Sequence, residues 1–237
     1  MKRYVLLLIV LFLFLNVSAW AQGLSVKSAE LSISVGGTHL ANKSFTIGPP
    51  QSATPIAGAM DLSSGKMYEA RVNFYNSKRL GSELLYGYQY GGVTFKRNTA
   101  PANSFGVPLQ VHTLTLNLLY YPFGDLNSVW RPFVSFGGGA VIYRPSSGGQ
   151  RAAKDPLQGN FDTFFETSRA TGMVAIGVKH PITKSIGFRA DAGAELTKVP
   201  TFGLPESSGQ PNASVLPVGG MVLSERASAG IILYLGK

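Results

Sequence analysis

Three groups of residues have the types and spacing that chemistry requires. His112 could act as a general base, because an imidazole titrates near neutral pH. Asp191 and Glu195 lie four residues apart, so on a strand both carboxylates would share one face and could do acid–base work. The run Gly137-Gly138-Gly139 has the composition of a phosphate-binding loop.

None of these groups has the partners that its chemistry needs. The residue two positions after His112, on the same face of a strand, is Leu114, which offers no nucleophile for the imidazole to activate. Arginines elsewhere in the chain can neutralise the two carboxylates as structural ion pairs. No helix follows the glycines, so close packing within a strand is the better interpretation. With no Cys and three His, we expect no enzyme site, no metal and no cofactor.

The elements that hold these residues are short strands with two unlike faces. In Thr113-Leu114-Thr115-Leu116-Asn117-Leu118 the leucines share one parity and the polar residues share the other. A period of two is typical of a strand with one apolar and one polar face. The same alternation predicts eight strands, at 28–37, 67–76, 80–95, 111–121, 130–143, 167–179, 185–197 and 222–235.

The first residues have the layout of a secretory signal peptide. Two cations precede an apolar run from Tyr4 to Leu15, and Ala19-Trp20-Ala21 is a small-residue cleavage pattern. The apolar run is shorter than the about 20 residues that a transmembrane helix needs. We therefore expect a signal peptide at 1–21 and, after cleavage, one domain at 22–237.

The connections between the predicted strands alternate in length. Short turns and long segments rich in Gly, Pro, Ser and Asn follow one another along the chain. Outer-membrane barrels have short periplasmic turns and longer extracellular loops, whereas a soluble barrel has no reason to sort them in this way. The short turns are 76–81, 121–129 and 180–184, and the long segments are 38–66, 96–110, 144–166 and 198–221.

The distribution of charge indicates which face of the strands meets lipid. No charged residue falls on the apolar parity of the predicted strands, although 14% of the chain is charged. The other parity carries acids, bases and glycines, which fits a crowded interior in which buried ions must pair. The predicted lumen ion-pair network consists of Glu69, Arg71, Glu83, Arg169, Arg189, Asp191, Glu195 and Arg226.

A hairpin predicts one pair of that network. If the sixth and seventh predicted strands fold about Ile182-Thr183, Arg169 lies opposite Glu195 and Met173 lies opposite Asp191. Facing neighbours on one side of a sheet approach to about 5 Å. An ion pair between Arg169 and Glu195 is therefore expected.

Cations also lie at the loop-side ends of several strands, where they could pair with lipopolysaccharide phosphates of the outer leaflet. Without the two N-terminal cations, the net charge of +9 becomes about +7. This charge is scattered and includes no basic run, so nucleic acid is not an expected partner. The candidate lipopolysaccharide contacts are Lys66, Lys96, Arg97, Arg144 and Lys198.

With these features, the chain resembles the small eight-stranded outer-membrane barrels of the OmpA/OmpX type. Its last strand is similar to the signal that the barrel-insertion machinery reads: polar, any, Gly, any two, apolar, any, apolar. The chain departs from many members of the group by ending in Gly236-Lys237 instead of an aromatic residue. The matching positions are Ser228, Gly230, Leu233 and Leu235.

The resemblance implies an all-β fold, an eight-stranded antiparallel up-and-down transmembrane β-barrel. It also implies a monomer in the outer membrane of a diderm bacterium, surrounded by lipid and delivered by periplasmic chaperones to the insertion machinery. Eight strands enclose a lumen that side chains can fill, not an open channel.

We therefore expect a structural or surface-interaction role through the long extracellular loops. Three alternatives stay open. The first is a narrow pore for small solutes. The second is a lipid-modifying enzyme based on His112, suggested by resemblance to eight-stranded lipid A deacylases. The third is a soluble secreted binding protein.

Overall fold

The computed structural model describes residues 29–47, 58–97, 104–123, 128–207 and 214–235. The predicted signal peptide lies outside these residues. Within them, the chain is almost entirely strand, with one short helix. The elements are β1 Ala29–Leu40, β2 Ser44–Ile47, β3 Gly58–Ser63, β4 Lys66–Tyr75, β5 Leu80–Arg97, β6 Ser104–Tyr120, β7 Arg131–Pro145, α1 Ser147–Lys154, β8 Thr167–Pro181, β9 Ile186–Lys198 and β10 Met221–Leu235.

Eight of these strands close into an antiparallel barrel, as predicted. Each of β4 to β10 pairs with its neighbour in the chain, and β1 pairs with both β4 and β10, which joins the two ends of the sheet. The closed barrel leaves no unpaired edge, which is the condition for strands to cross a bilayer. Among the described residues, no helix is long and apolar enough to cross a membrane.

The side chains alternate across the barrel wall with the predicted polarity. On β6, Thr113, Thr115 and Asn117 are buried in the lumen, whereas Leu114 and Leu116 face outward and are partly exposed. Ile33 and Ile176 on other strands are each 64% exposed. A wall that is apolar outside and polar inside is suited to lipid and not to water.

The predicted long loops contain regular structure that the sequence analysis missed. β2 and β3 form a hairpin within the first long segment, and β3 pairs with the upper part of β5, where Met60 lies opposite Phe95. β6 begins at Ser104, seven residues before its predicted start at 111, and continues its pairing with β5 up to Lys96. These elements rise above the barrel, because β5 has 18 residues and a membrane strand needs about 9–11.

We call the part above the barrel the loop head. It has its own apolar core, in which the Phe95 ring stacks on Phe105 at 5.1 Å and meets Phe161 and Phe164 edge-on. The loop head comprises β2, β3, β5 from residue 92, β6 up to residue 110, α1, and the described residues of 155–166 and 199–220.

The polarity of β6 reverses where the strand passes from the barrel into the loop head. In the upper part of the barrel the inward residues Thr113, Thr115 and Asn117 are polar, whereas above it Phe105, Val107 and Leu109 point inward into the apolar core. The outward residues change in the opposite sense, from the apolar Leu114 below to the polar, exposed Ser104 above. This reversal marks the level at which the surroundings of the strand change from lipid to water.

Candidate functional site

The centre of the lumen is filled by ion pairs that join distant strands. The Arg189 guanidinium on β9 forms an ion pair with Glu83 on β5, and its Nε donates to Asp191 at 2.7 Å. In the strand order, β9 and β5 stand on opposite sides of the barrel, so the pair of Arg189 and Glu83 spans the full width of the lumen. Glu83 is completely buried.

A second arginine links the same acids to β4. Arg71 forms ion pairs with Glu69 and with Asp191, the latter at 3.1 Å, and its Nη1 donates to the Ser34 hydroxyl at 2.8 Å. Its Nε also lies 3.9 Å from Glu83. The buried charges are therefore shared among several partners, as burial of ions in a narrow lumen requires.

The upper layer of the network is built around Arg226. This guanidinium forms an ion pair with Glu69 and lies 3.5 Å from Glu195. Glu195 also accepts a hydrogen bond from the Thr171 hydroxyl at 3.1 Å. Beside Glu195 lies a small cavity of about 40 Å³, between the ions and the loop head, which has room for only a few water molecules.

The end of the lumen opposite the loop head has a layer that the sequence analysis did not identify as a network. Lys179 forms an ion pair with Glu30, which also accepts a hydrogen bond from the Tyr75 hydroxyl. Arg131 packs over the rings of Tyr75 and Tyr121, with its Cζ at 4.6 Å and 4.5 Å from their centroids. The inward parity of the two tyrosines was the available signal, but it does not reveal their partners.

Arg169 is the one predicted network residue that the structure places elsewhere. Its Nε donates to the Val199 carbonyl at 3.2 Å and its Nη2 to the Thr201 hydroxyl at 2.6 Å, at the base of the loop head. The predicted hairpin register was wrong, because Glu195 lies opposite Met173 and Asp191 lies opposite Gly177.

The cause of this error is the turn between β8 and β9. The amides of Ile182 and Thr183 both donate to the Ile186 carbonyl, so the turn is centred later than predicted. Each residue of β8 consequently faces a residue four positions further along β9. A shift by an even number preserves the inward face, since side chains alternate with a period of two.

The glycine run on β7 packs closely against β6, as expected. A Cβ at Gly137 would collide with the carbonyl oxygen of Leu116, and one at Gly139 with that of Leu114. The run therefore brings two backbones together inside the wall and is not followed by the helix of a phosphate loop. Within the described ranges, no cluster of three metal-ligating side chains could hold an ion.

The predicted rim cations differ in their surroundings. Lys96 forms an ion pair with Asp61 at 2.5 Å, and Arg144 forms one with Glu166 at 3.0 Å. Hydrogen bonds from Lys96 and Ser44 hold the pKa of the Asp61 carboxyl below its usual value. Lys66 and Lys198 are exposed, and the side chain of Arg97 lies outside the described part of the structure.

His112 lies on the outer wall, where the sequence placed it. Its Nδ1 is 2.9 Å from the Tyr86 hydroxyl, and its ring centroid is 5.2 Å from that of Tyr88. Leu114 is the next outward residue along β6, so the serine that a lipid-cleaving site would need is absent from that position.

The residues of the predicted insertion signal occupy both faces of β10. Ser228 is buried and donates to Asp191 at 3.3 Å, while Leu233 and Leu235 are about half exposed on the outer wall. A Cβ at Gly230 would collide with the carbonyl oxygen of Ile33 on β1. Recognition by the insertion machinery stays a prediction.

Comparison with known proteins gives a match by fold alone. No protein family model and no curated protein matches the sequence. The crystal structure of the outer membrane protein OprG from Pseudomonas aeruginosa matches with a TM-score of 0.57 at 13% identity, covering 90% of this chain and 97% of OprG. Neisserial surface protein A matches with a TM-score of 0.47 at 13% identity, covering 86% and 96% of the two chains.

The closed barrel, its apolar outer wall and its ion-paired lumen define an integral membrane β-barrel. More particularly, it is a small eight-stranded outer-membrane barrel of the Gram-negative type, similar in fold to OprG.

Proposed function

We propose that the protein is a membrane anchor without a conducting pore, which carries the loop head on the cell surface and acts through it. The observation that carries this proposal is the ion pair between Arg189 and Glu83. It crosses the whole lumen, and both side chains are almost completely inaccessible to water. Ions moving through the barrel would have to displace a buried ion pair, which is costly.

The loop head adds a second barrier above the network. Phe95, Phe164 and Phe202 are completely buried at its centre, and the Phe164 and Phe202 rings stack at 4.5 Å. A packed aromatic core over the mouth of a barrel supports the proposal of a closed lumen. It is also a rigid support for a binding surface, because loops positioned by a scaffold commonly carry recognition.

The outer surface of the loop head offers both charged and apolar groups. Arg151 and Lys154 lie on α1, and the Lys154 ammonium lies 5.1 Å from the centre of the half-exposed Phe165 ring. Leu157 is 79% exposed beyond the helix. These groups favour interaction with another molecule at the surface over a purely structural role.

The proposal includes no enzymatic activity. Leu114 occupies the position where a nucleophile beside His112 would be needed. The Tyr86 hydroxyl lies 2.9 Å from the His112 Nδ1, and this contact favours a structural role in which the two side chains hold each other in place on the outer wall.

Planar-bilayer recording tests the proposal directly. We expect wild-type protein to give almost no conductance, and Arg189→Ala to give a measurable rise, because the substitution removes the side chain that spans the lumen. Lys184→Ala, in an exposed periplasmic turn, is the control and should stay silent. Stable wild-type conductance would favour the pore alternative and overturn the proposal.

The placement of the loop head can be tested on intact cells. Because the chain has no Cys, single-cysteine variants give clean labelling. Leu157→Cys should react with a membrane-impermeant maleimide, whereas Ile182→Cys should react only after the outer membrane is opened. The reverse pattern would contradict display at the surface.

A further inference from the structure

A row of tyrosines on the outer wall lies at the level where the barrel meets the loop head. Tyr86, Tyr88 and Tyr90 all face outward from β5, with the rings of Tyr88 and Tyr90 edge-on at 5.0 Å. His112 on β6 packs against Tyr86 and Tyr88 and so positions both rings. We call this row, together with Tyr68 opposite Tyr88 on β4, the tyrosine patch.

The depth of the tyrosine patch corresponds to the outer-leaflet headgroups. His112 and Tyr120 bound the leucine stretch on the outward face of β6. The eight intervening steps cover roughly 26 Å along the strand, and roughly 20 Å across the membrane at a tilt of about 40°. Tyr120 lies at the periplasmic end, so the tyrosine patch lies at the opposite interface, where amphipathic rings are favoured.

Two cations flank the tyrosine patch. Lys66 precedes Met67, which pairs with Gln89, so it lies beside Tyr90 on one side. Arg144 lies opposite Gln110 on the other side, one outward position above His112. β4 and β7 are separated by three strand spacings, so the cations are roughly 14 Å apart across the wall.

The Arg144 guanidinium has more N–H donors than its bond to Glu166 uses. Among the described residues, its Nε donates to Glu166 at 3.0 Å, and the side chain is 56% exposed. A guanidinium has five N–H donors in a fork that suits phosphate oxygens. The terminal nitrogens can therefore bind an anion without loss of the Glu166 pair.

An apolar groove lies in the outer wall beside the tyrosine patch. It has a volume of about 460 Å³ and lies on the outside of β10, β1, β4 and β5. Tyr68, Tyr86 and Tyr88 form one side of the groove, and the small side chain of Ala70 leaves space between Ile33 and the tyrosines. Its volume is within the about 300–1,000 Å³ that is typical of ligand sites.

We propose that this wall binds one phosphorylated glycolipid of the outer leaflet. The headgroup phosphates lie between Lys66 and Arg144, the sugar rings pack on the tyrosines, and one acyl chain occupies the groove. Each part of such a lipid meets the chemistry that suits it: cations for phosphate, aromatic faces for sugar, and small apolar residues for hydrocarbon. The inference depends on the membrane-spanning barrel and not on conductance or on the role of the loop head.

Native mass spectrometry of protein released from phosphatidylcholine nanodiscs that contain lipid A tests the proposal. Wild-type protein should retain one lipid A molecule. The double variant Lys66→Gln/Arg144→Gln should retain roughly tenfold less, because charge-assisted bonds to phosphate are lost. Lys154→Gln/Lys184→Gln removes equal charge elsewhere and should retain as much as wild type. Equal retention by the two double variants would overturn the proposal.

Two further measurements test the contributions of the phosphate groups and of the acyl chain separately. Dephosphorylated lipid A should bind wild type no better than phosphatidylcholine does. Ala70→Leu should fill the groove and reduce retention, whereas Ala192→Leu, on the outer face of β9, should not. Heat-modifiable gel mobility shows that each variant is folded. Undiminished retention by folded Ala70→Leu would contradict the assignment of the groove to an acyl chain.

Discussion

At the scale of single residues, the charged side chains of the lumen are buried away from water and are stabilised by ion pairs. Glu83 illustrates it, because one completely buried carboxylate meets Arg189 from the opposite wall and lies near Arg71. An unpaired ion in that place would cost several kcal/mol. Removal of one charged side chain from the network should therefore destabilise the partners that remain buried.

Replacing Glu83 by Gln should destabilise the barrel by about 3–5 kcal/mol, because Arg189 and Arg71 would keep their charge and lose a partner. Urea unfolding in lipid vesicles measures the change. Glu206→Gln makes the same replacement in an exposed loop and should change the free energy of unfolding by less than about 0.5 kcal/mol. Equal effects of both variants would mean that the network does not stabilise the barrel.

The sequence could predict which residues of the network face inward, but not which of them meet. Parity follows from the period of two and survives any even shift in register, so Glu195 and Asp191 were placed correctly in the lumen. Partners depend on the register, and the register of β8 and β9 depends on the exact centre of the turn between them, which a period of two does not fix. Arg169 was therefore assigned a partner that it does not reach.

At the scale of elements, each long strand crosses two environments. The inward side chains of β6 change from Thr113 and Thr115 to Leu109 and Val107 without any break in the strand. Period-two analysis detects a strand in either environment, but the change in polarity interrupts the pattern. For this reason the predicted fourth strand began at 111. The β2–β3 hairpin was predicted as loop because its strands have only four and six residues.

The free-energy cost of placing a charge on the outward face of β6 should change at the same boundary. Leu116→Arg puts a charge near the middle of the apolar belt and should cost about 2–4 kcal/mol. Ser104→Arg lies on the same face in the loop head, where the side chain is exposed to water, and should cost less than about 0.5 kcal/mol. Folding yield and urea titration in vesicles compare the two variants, and similar costs would contradict the boundary.

At the scale of the whole molecule, the chain combines two kinds of core. The barrel is held by paired charges inside and by lipid outside, whereas the loop head is held by an apolar core such as soluble proteins have. The two are joined through continuous β5 and β6, so the loop head has a fixed position above the barrel. Its surface can therefore evolve without disturbing the lumen, and the tyrosine patch lies at the junction.

This division predicts that the loop head can be loosened while the barrel stays folded. Phe95→Ala removes a completely buried ring from the head core and should destabilise it by about 3–5 kcal/mol. Hydrogen exchange should rise in β2, β3 and α1, while the barrel keeps its heat-modifiable mobility. Phe136→Ala removes a ring that is 52% exposed on the lipid-facing wall and should leave exchange in the loop head unchanged. Loss of the folded barrel in Phe95→Ala would instead mean that head and barrel form a single cooperative unit, since each would then unfold with the other.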